Sequence, residues 1–405
     1  MIAEHKISKT EHPLFYLSLI VLPFFSPLSL VGFLFFSIKT IFDRHIYLNT
    51  YLKSVAVPSV LAISAIFVSS CLTAYNKAEA FTVLFNFLPF FLLFLAGAKI
   101  FTPKNLEQAL TCILISSIPV IILAIIEFTF NQYGWYSTDR LIFPNVGIRY
   151  PRSSAVFENS NGLASYLVTS LGISLGMLIK YSQYRNKQNA CQIRGSFTDS
   201  QLILLIKTYI CSNLLALTCT QSRNAFLAAI VLIFITIIIS KFRNLNFFSS
   251  LLVFTVIGFC LLKNITLMRY INGEISLTAS MSREILTFAT DSRTKIWKFA
   301  ILLGNQRLFL GWGLGNYKLL YPVQSIGTPP HPHNLWLMLF AETGIMGLAS
   351  LNIFVGSILY QAVRKIHSIE KEKQYVLISY LMAFLASIMF HCFDCPLFDA
   401  RINCI

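Results

Sequence analysis

Long apolar runs recur along this chain, and they constrain its fold more than any other feature. Each is about 20 residues long, the length that an α-helix needs to cross the ~30 Å hydrocarbon layer of a bilayer. They lie near 54–74, 80–101, 107–128, 158–180, 201–220, 224–240, 247–263, 333–360 and 374–393. Only 12% of the 405 residues are charged, whereas 56% are hydrophobic. The surface of a water-soluble domain of this size needs more charged residues than this. The sequence therefore predicts a polytopic membrane protein.

The apolar region 13–42 is interrupted by Pro23 and Pro27. It fits one kinked span or a short helical hairpin, and we favour the hairpin. The whole chain, 1–405, is then expected to form one all-α integral-membrane domain, a transmembrane bundle of ten or eleven helices. Residues 1–12 carry mixed charge and lack a small-residue cleavage site, so we expect them to be a retained tail.

Short basic loops predict the orientation of the bundle. The segments 180–200, 241–246 and 361–373 are rich in lysine and arginine, which the positive-inside rule assigns to the cytoplasm. Two longer loops, 129–157 and 264–332, then face the opposite side. We expect the second to be a large helical loop that carries catalytic residues.

Arginine is more frequent than lysine in the predicted outer segments, and lysine is more frequent in the predicted cytoplasmic loops. A guanidinium group binds phosphate oxygens through two parallel hydrogen bonds and keeps its charge at any physiological pH. The alternative to anion binding is that individual arginines form structural ion pairs with nearby carboxylates such as Glu158 or Asp291. As a set, the arginines indicate that a pyrophosphate or another anion is bound outside the membrane.

The stretch DSRTKIWKFAILLGNQ, 291–306, predicts a helix within the long outer loop, with Ser292 as N-cap and Gly304 at its end. Ile296, Ala300 and Leu303 would share its apolar face. Arg293 would lie in the first turn, where the helix dipole disfavours a cation, so we expect it to be positioned for a partner. The following GWGLGNY has no preceding strand and predicts a tight turn towards the membrane instead of a nucleotide-binding loop.

The stretch PHPHNLWLMLFAETGIMG, 330–347, opens the next predicted span. Pro332 fits the first turn of a helix, which places His333 near its N-terminus. The positive potential there favours a neutral imidazole, which can accept a proton. His333 is therefore a candidate general base, with an interfacial anchor as the alternative, and His331 could assist or simply support the turn.

Two further features follow in the same span. Glu342 is an ionisable residue at membrane depth, which marks a functional site by default, although it lies about half a helical rotation away from His333. Gly344 and Gly347 would let a neighbouring helix approach closely.

His331 and His333, two residues apart, could ligate zinc. Catalytic zinc takes three protein ligands, and the loop 264–332 offers no further histidine and no cysteine. The sequence therefore predicts no metal and no other cofactor.

These motifs resemble those of the bacterial O-antigen ligase and O-antigen polymerase family. His333-Asn334, nine residues, Gly344 and Gly347 match its H-[NSQ]-x9-G-x-x-G pattern. TQSRNAFLA resembles the Ser-Arg motif of the family, and DSRTKIWKFAI…LFLGWGLGNY resembles its outer-loop segment. RSSAVFENSNGLASYL is similar to an Arg…Phe-x-Asn-Pro-Asn segment, with Ser160 in place of proline. FDCPLFDARIN resembles the C-terminal block, after which relatives usually add a helix. The resemblance covers roughly 140–403.

The resemblance implies transfer of a glycan from an undecaprenyl-pyrophosphate carrier, with inversion, on the periplasmic side of the bacterial inner membrane. His333 would be the base, and Arg293 and Arg223 would hold the pyrophosphate, with Arg152 a weaker candidate for the same task. His331, Asn334 and Glu342 are predicted to bind substrate. The predicted cytoplasmic loops are too short for a nucleotide-binding domain, and we expect no nucleic acid partner.

Two alternatives stay open at the level of sequence. The acceptor is a lipid A core or another molecule if the chain is a ligase, and a second lipid-linked repeat unit if it is a polymerase. A transporter fits the helix count alone, but the sequence has no internal repeat and few charged residues in mid-span.

Overall fold

The computed structural model describes residues 13–42, 56–100, 102–133, 152–184, 199–240, 245–271, 290–322, 331–366, 368–369 and 371–395. Within these ranges the chain forms 14 helices and no strand, which confirms the predicted all-α class.

In chain order the helices are α1 (Pro13–Val21), α2 (Ser26–Phe42), α3 (Ala56–Leu72), α4 (Lys77–Leu84), α5 (Leu88–Ile100), α6 (Pro103–Tyr133), α7 (Ser160–Tyr184), α8 (Asp199–Thr220), α9 (Arg223–Ile239), α10 (Leu245–Ile271), α11 (Thr290–Gln306), α12 (Tyr317–Leu320), α13 (Leu335–Ile366) and α14 (Lys371–His391).

Five of these helices contain segments long and apolar enough to cross a membrane: Lys104–Phe130, Ser160–Ile179, Ser200–Thr220, Leu335–Ile366 and Gln374–His391. Shorter apolar helices cover Ser26–Phe42, Val57–Leu72, Arg223–Ile239 and Asn246–Gly258. α1 and α2 are separate helices that pack against each other, as the hairpin interpretation of 13–42 predicts. The protein is a polytopic helical membrane protein.

Three of the predicted spans differ from the observed helices. The run 80–101 is not continuous, because a turn between Leu84 and Leu88 separates α4 from α5. Pro89 explains the break, since it has no amide hydrogen to donate and it restricts the backbone of the residue before it. α6 and α10 extend past their apolar cores to Tyr133 and Ile271, so each ends within a loop predicted on the outer side.

α7 lies at the centre of the bundle, and residues 162–179 within it are all buried. It packs against α6, α8, α9 and α14. Gly172 and Gly176 bring it close to α14, because a Cβ atom at either glycine would collide with the backbone at Met382 or Ser379. This close packing brings the start of α7 next to the segment that follows α14.

α11 packs against the first part of α13, in agreement with the predicted apolar face: Ala300 and Leu303 are buried there. The predicted ends of this helix were wrong. It begins at Thr290, so Ser292 is inside the first turn, and it continues to Gln306. Gly304 does not end the helix; its missing side chain makes room for the ring of Phe340.

The glycine-rich segment after α11 forms the predicted tight turn. Gly311, Gly313 and Gly315 have φ angles of 64°, 99° and 70°, a region that other residues rarely adopt. A Cβ atom at Gly313 would collide with Ala74. The Tyr75 amide also donates to the Trp312 carbonyl (2.9 Å), so the turn is fixed to the connection between α3 and α4.

Gly344 interrupts α13, with φ 65° and ψ −166°. The prediction that it admits a neighbouring helix was wrong, because the backbone that approaches it is the turn after α11 at Leu308 and Phe309. The Ile345 amide, released by the kink, donates to the Leu308 carbonyl (2.7 Å). The kink therefore fastens α11 to α13.

We expect Gly344→Ala to lower the free energy of unfolding by about 1–3 kcal/mol, because alanine must adopt a backbone conformation reserved for glycine. Gly356→Ala is the matched control in the same helix, where a Cβ atom meets nothing within 4 Å. There alanine should be neutral or stabilise by about 0.5–1 kcal/mol. Thermal unfolding in detergent measures both variants, and equal melting temperatures would contradict this account of the kink.

Candidate functional site

The candidate site is built around the carboxylate of Asp394, three residues past the end of α14. The His333 ring nitrogen Nδ1 lies 3.1 Å from Asp394 Oδ1. The Asn161 side chain donates to Oδ2 (2.6 Å), and the Cys395 amide donates to Oδ1 (2.9 Å). Asp394 itself is buried, with 4% of its surface exposed. A buried carboxylate is costly unless such hydrogen bonds satisfy it, and here they do.

Asp394 also determines which ring nitrogen of His333 carries the proton. Burial opposes ionisation, but the hydrogen bond from His333, the electrostatic interactions with both histidines and the hydrogen bond from the Cys395 amide outweigh it and hold the pKa of Asp394 below its usual value. An ionised carboxylate only accepts hydrogen bonds, so Nδ1 of His333 is the protonated nitrogen. In the neutral form of the ring, Nε2 is then left with its lone pair. This tautomer is the one that a general base requires.

The backbone around His333 corrects the sequence interpretation. α13 begins at Leu335, so Pro332 lies outside the helix and not in its first turn. Asn334 is the residue that caps the helix: its Oδ1 accepts the Leu337 amide (3.0 Å), and its Nδ2 donates to the Cys392 carbonyl (2.9 Å). His333 has φ 52°, an uncommon conformation for a residue with a side chain. Such backbone strain is typical of functional sites.

His331 lies against His333, with ring centroids 4.5 Å apart. Its Nδ1 accepts the His333 amide (3.2 Å), and its Nε2 lies 3.9 Å from Asp394 Oδ1. Burial, together with the neighbouring His333, lowers the pKa of His331 to about 4, against the opposing attraction of Asp394. His331 is therefore neutral at pH 7. Its contacts support the turn that holds His333, one of the two roles that the sequence left open.

Arg152 reaches the same network through its neighbours. Its Nε donates to the Thr220 carbonyl (2.8 Å), and its NH2 donates to Asn161 Oδ1 (3.0 Å). Asn161 in turn donates to Asp394. The predicted substrate-binding arginine thus orients the amide that holds the carboxylate.

Glu127, in α6, fixes the segment that carries Arg152. Its carboxylate, 1% exposed, accepts the amides of Ser154 (2.8 Å) and Ala155 (2.6 Å). Ala155 has φ 47°, so the carboxylate stabilises a backbone turn that would otherwise be unfavourable. The sequence interpretation assigned Glu127 no role, because its partners are 27 and 28 residues away in the chain.

Arg223 is the first residue of α9, and its side chain is exposed. Its neighbour Asn224 donates to the Phe393 carbonyl (3.1 Å), directly before Asp394. Within the described part of the chain, no hydrogen bond or ion pair occupies the Arg223 guanidinium group. It is thus available to bind an anion, and Asn224 connects the start of α9 to the segment of Asp394.

Arg293 is half-buried in the first turn of α11, as predicted. Trp297 lies one turn further on the same face, and its Nε1 donates to the Pro332 carbonyl (2.9 Å). The face of α11 that carries Arg293 is therefore turned towards the segment of His331 and His333.

Four helices begin around this site. Hydrogen bonds connect the first turns of α7 and α9 and the cap of α13 to residues 392–394. Trp297, one turn after Arg293, connects α11 to Pro332. The N-terminus of a helix carries roughly half a positive charge. With Arg223 and Arg293 added, the site is strongly electropositive and suited to an anion.

Glu342 lies apart from this cluster. It is 2% exposed, and its Oε1 accepts the amide of Tyr317 (3.1 Å). Its backbone carbonyl accepts the Gly313 amide (2.8 Å) and the Ser70 hydroxyl (2.8 Å). These contacts hold the glycine-rich turn, and the predicted substrate contact of Glu342 stays a prediction.

The structure also adds residues that the sequence interpretation missed. Asp394 and Asn161 were each inside a segment noted for its family resemblance, but neither was singled out. The expectation that the two histidines lack a third metal-ligating group was also incomplete, because it considered only the loop 264–332. Asp394, some 60 residues later, brings a carboxylate within 4.8 Å of both rings.

The fold and the site together define a polytopic membrane protein with a polar, electropositive site where several helices begin. Residues 209–351 match the family described as O-antigen ligase. This match supports the resemblance to the O-antigen ligase and polymerase family that the motifs predicted. It also supports glycosyltransferase activity of the ligase or polymerase kind on lipid-linked glycans. No curated protein matches the chain significantly.

We expect Asp394→Asn to lower glycan transfer by about 10²–10⁴-fold, because an amide can donate to Nδ1 of His333 and so favour the wrong tautomer. Glu107→Gln, in the first turns of α6, is the control for loss of a carboxylate away from the site. Transfer of a lipid-linked glycan in proteoliposomes measures the rate. In a His333→Ala background the Asp394→Asn change should have no further effect. An additive loss in the double variant would contradict the pairing.

Proposed function

We propose that this protein transfers a glycan from undecaprenyl pyrophosphate to an acceptor hydroxyl, on the periplasmic face of the inner membrane. The observation that carries the proposal is the His333–Asp394 pair set among four helix N-termini and two arginines. Such a site holds a proton acceptor next to a place for an anionic leaving group, which are the two requirements of this reaction.

His333 acts as the general base. Its Nε2 takes the proton of the acceptor hydroxyl while the hydroxyl oxygen attacks the anomeric carbon of the donor sugar. The new C–O bond forms on the face opposite the leaving group, so the configuration inverts. The carboxylate of Asp394 stabilises the imidazolium that forms, as in other His–Asp pairs.

Arg223 and Arg293 bind the pyrophosphate. When the bond between the anomeric carbon and the phosphate oxygen breaks, its electron pair remains on the leaving pyrophosphate. Fixed cations and helix N-termini stabilise this developing charge without having to reorganise. Arg152, whose hydrogen bonds to Thr220 and Asn161 are already made, positions the network and is not needed as a third phosphate ligand.

The acceptor is the hydroxyl of a lipid A core or another glycan in a ligase, or of a second lipid-linked repeat unit in a polymerase. The catalytic pair and the pyrophosphate site serve both reactions equally, because the two differ only in the molecule that brings the hydroxyl.

We expect His333→Ala to abolish transfer, with a loss of about 10²–10⁴-fold, while the protein still binds the lipid-linked donor. His367→Ala, in the connection between α13 and α14, is the matched control and should retain activity. Donor binding and single-turnover transfer are measured on the same purified samples. Near-normal transfer by His333→Ala would refute the general base. EDTA should not reduce the activity of the unaltered protein.

Replacement of Arg293 by lysine keeps the charge but removes the planar pair of donors, so we expect a severe loss of transfer with normal expression. Lys298→Ala is the control, because Lys298 is an exposed cation on the same helix. If Arg293→Lys transferred glycan at a near-normal rate, bidentate binding of the pyrophosphate by Arg293 would be excluded.

A further inference from the structure

Three ligand atoms meet at the candidate site from two distant parts of the chain. His331, His333 and Asp394 each offer one, and all three atoms lie within 4.8 Å of one another. We propose that these side chains form a binding site for a divalent transition-metal ion such as Zn²⁺, and that occupation of this site inhibits the protein. Only the inhibition rests on the proposed function; the metal site rests on the geometry alone.

The spacing suits tetrahedral zinc. Ligands about 2.0–2.1 Å from zinc lie about 3.4 Å from one another at tetrahedral angles. Asp394 Oδ1 lies 3.1 Å from His333 Nδ1 and 3.9 Å from His331 Nε2, and no two of the ligand atoms are more than 4.8 Å apart, so small side-chain shifts would bring the atoms into place. Two imidazoles and a carboxylate are a preferred donor set for this ion, with water at the fourth position.

The site is also held in the way that metal ligands usually are. Asn161 donates to the second oxygen of Asp394 (2.6 Å), and Arg152 donates to Asn161 (3.0 Å), so the carboxylate is oriented from behind. One contact opposes binding. His331 Nδ1 accepts the His333 amide (3.2 Å), and this long hydrogen bond would be given up when Nε2 of His331 binds an ion. A single neutral hydrogen bond is a small loss beside three metal–ligand bonds.

Inhibition follows because the ion binds Nδ1 of His333. In the metal-free protein, Nδ1 of His333 carries the proton and Nε2 has the lone pair that accepts the proton of the acceptor hydroxyl. An ion on Nδ1 displaces that proton, and the neutral ring then carries it on Nε2. His333 can then no longer accept a proton at Nε2, although the ring carries the same number of protons as before. The ion also neutralises Asp394, which would otherwise stabilise the imidazolium.

Cobalt(II) titration of the purified full-length protein tests for the site. We expect one cobalt ion per chain, with visible ligand-field bands but without the thiolate-to-cobalt charge-transfer band that any of the nine cysteines would produce. His331→Ala and Asp394→Asn should each weaken binding at least about tenfold, whereas His367→Ala should not. A thiolate band in place of these bands, or an unchanged spectrum in His331→Ala, would overturn the metal site.

Zinc titration of the transfer reaction tests for inhibition. Zn²⁺ should slow transfer by the unaltered protein, and EDTA should restore it. In His331→Ala, measured against its own metal-free rate, the inhibition constant should rise at least about tenfold. Zinc that binds without slowing transfer overturns the inhibition, and loss of transfer with EDTA alone would make the ion an activator. Failure of the proposed function is seen separately, as normal transfer by His333→Ala.

Discussion

The hydrogen bonds of one buried carboxylate connect most of the elements at the candidate site. Asp394 follows α14, and it is held by Asn161 at the start of α7 and by His333 just before α13. Because burial of an unpaired carboxylate is costly, each of these bonds fixes the relative position of two helix ends. The close packing of α7 on α14 through Gly172 and Gly176 sets the distance at which the bonds can form. The tautomer of His333 is thus a consequence of how the bundle packs.

The fold class and several parts of the site could be predicted from the sequence because they depend on local patterns. Apolar runs predicted the helices, the face of α11 followed from its periodicity, and the glycine-rich turn followed from its composition. His333 and Arg293 were candidates because they lie near predicted helix starts, and a resemblance whose motifs are short and contiguous added a role for Arg223. The predicted helix ends were less accurate. The break at Pro89 lies inside a continuous apolar run, and α11 begins at Thr290, before the motif that predicted it.

The contacts that depend on distant parts of the chain could not be predicted in this way. Asp394 meets His333 across 61 residues and Asn161 across 233 residues, and no periodicity relates them. Glu342 shows a second limit of sequence patterns. An ionisable residue at membrane depth suggested a functional site, but its carboxylate is used to bind the amide of Tyr317 in the glycine-rich turn. Whether a buried acid serves chemistry or structure depends on the groups that its oxygens meet.

The charge balance explains why such a site would be kept at the end of a bundle. Four helix N-termini contribute roughly two positive charges and Arg223 adds a full charge, whereas Asp394 contributes one negative charge. In surroundings of low polarity this excess is destabilising unless an anion is bound. A second carboxylate would balance the charge but would also repel a pyrophosphate and compete for the arginines. The excess positive charge is therefore consistent with a site that is completed by its anionic substrate.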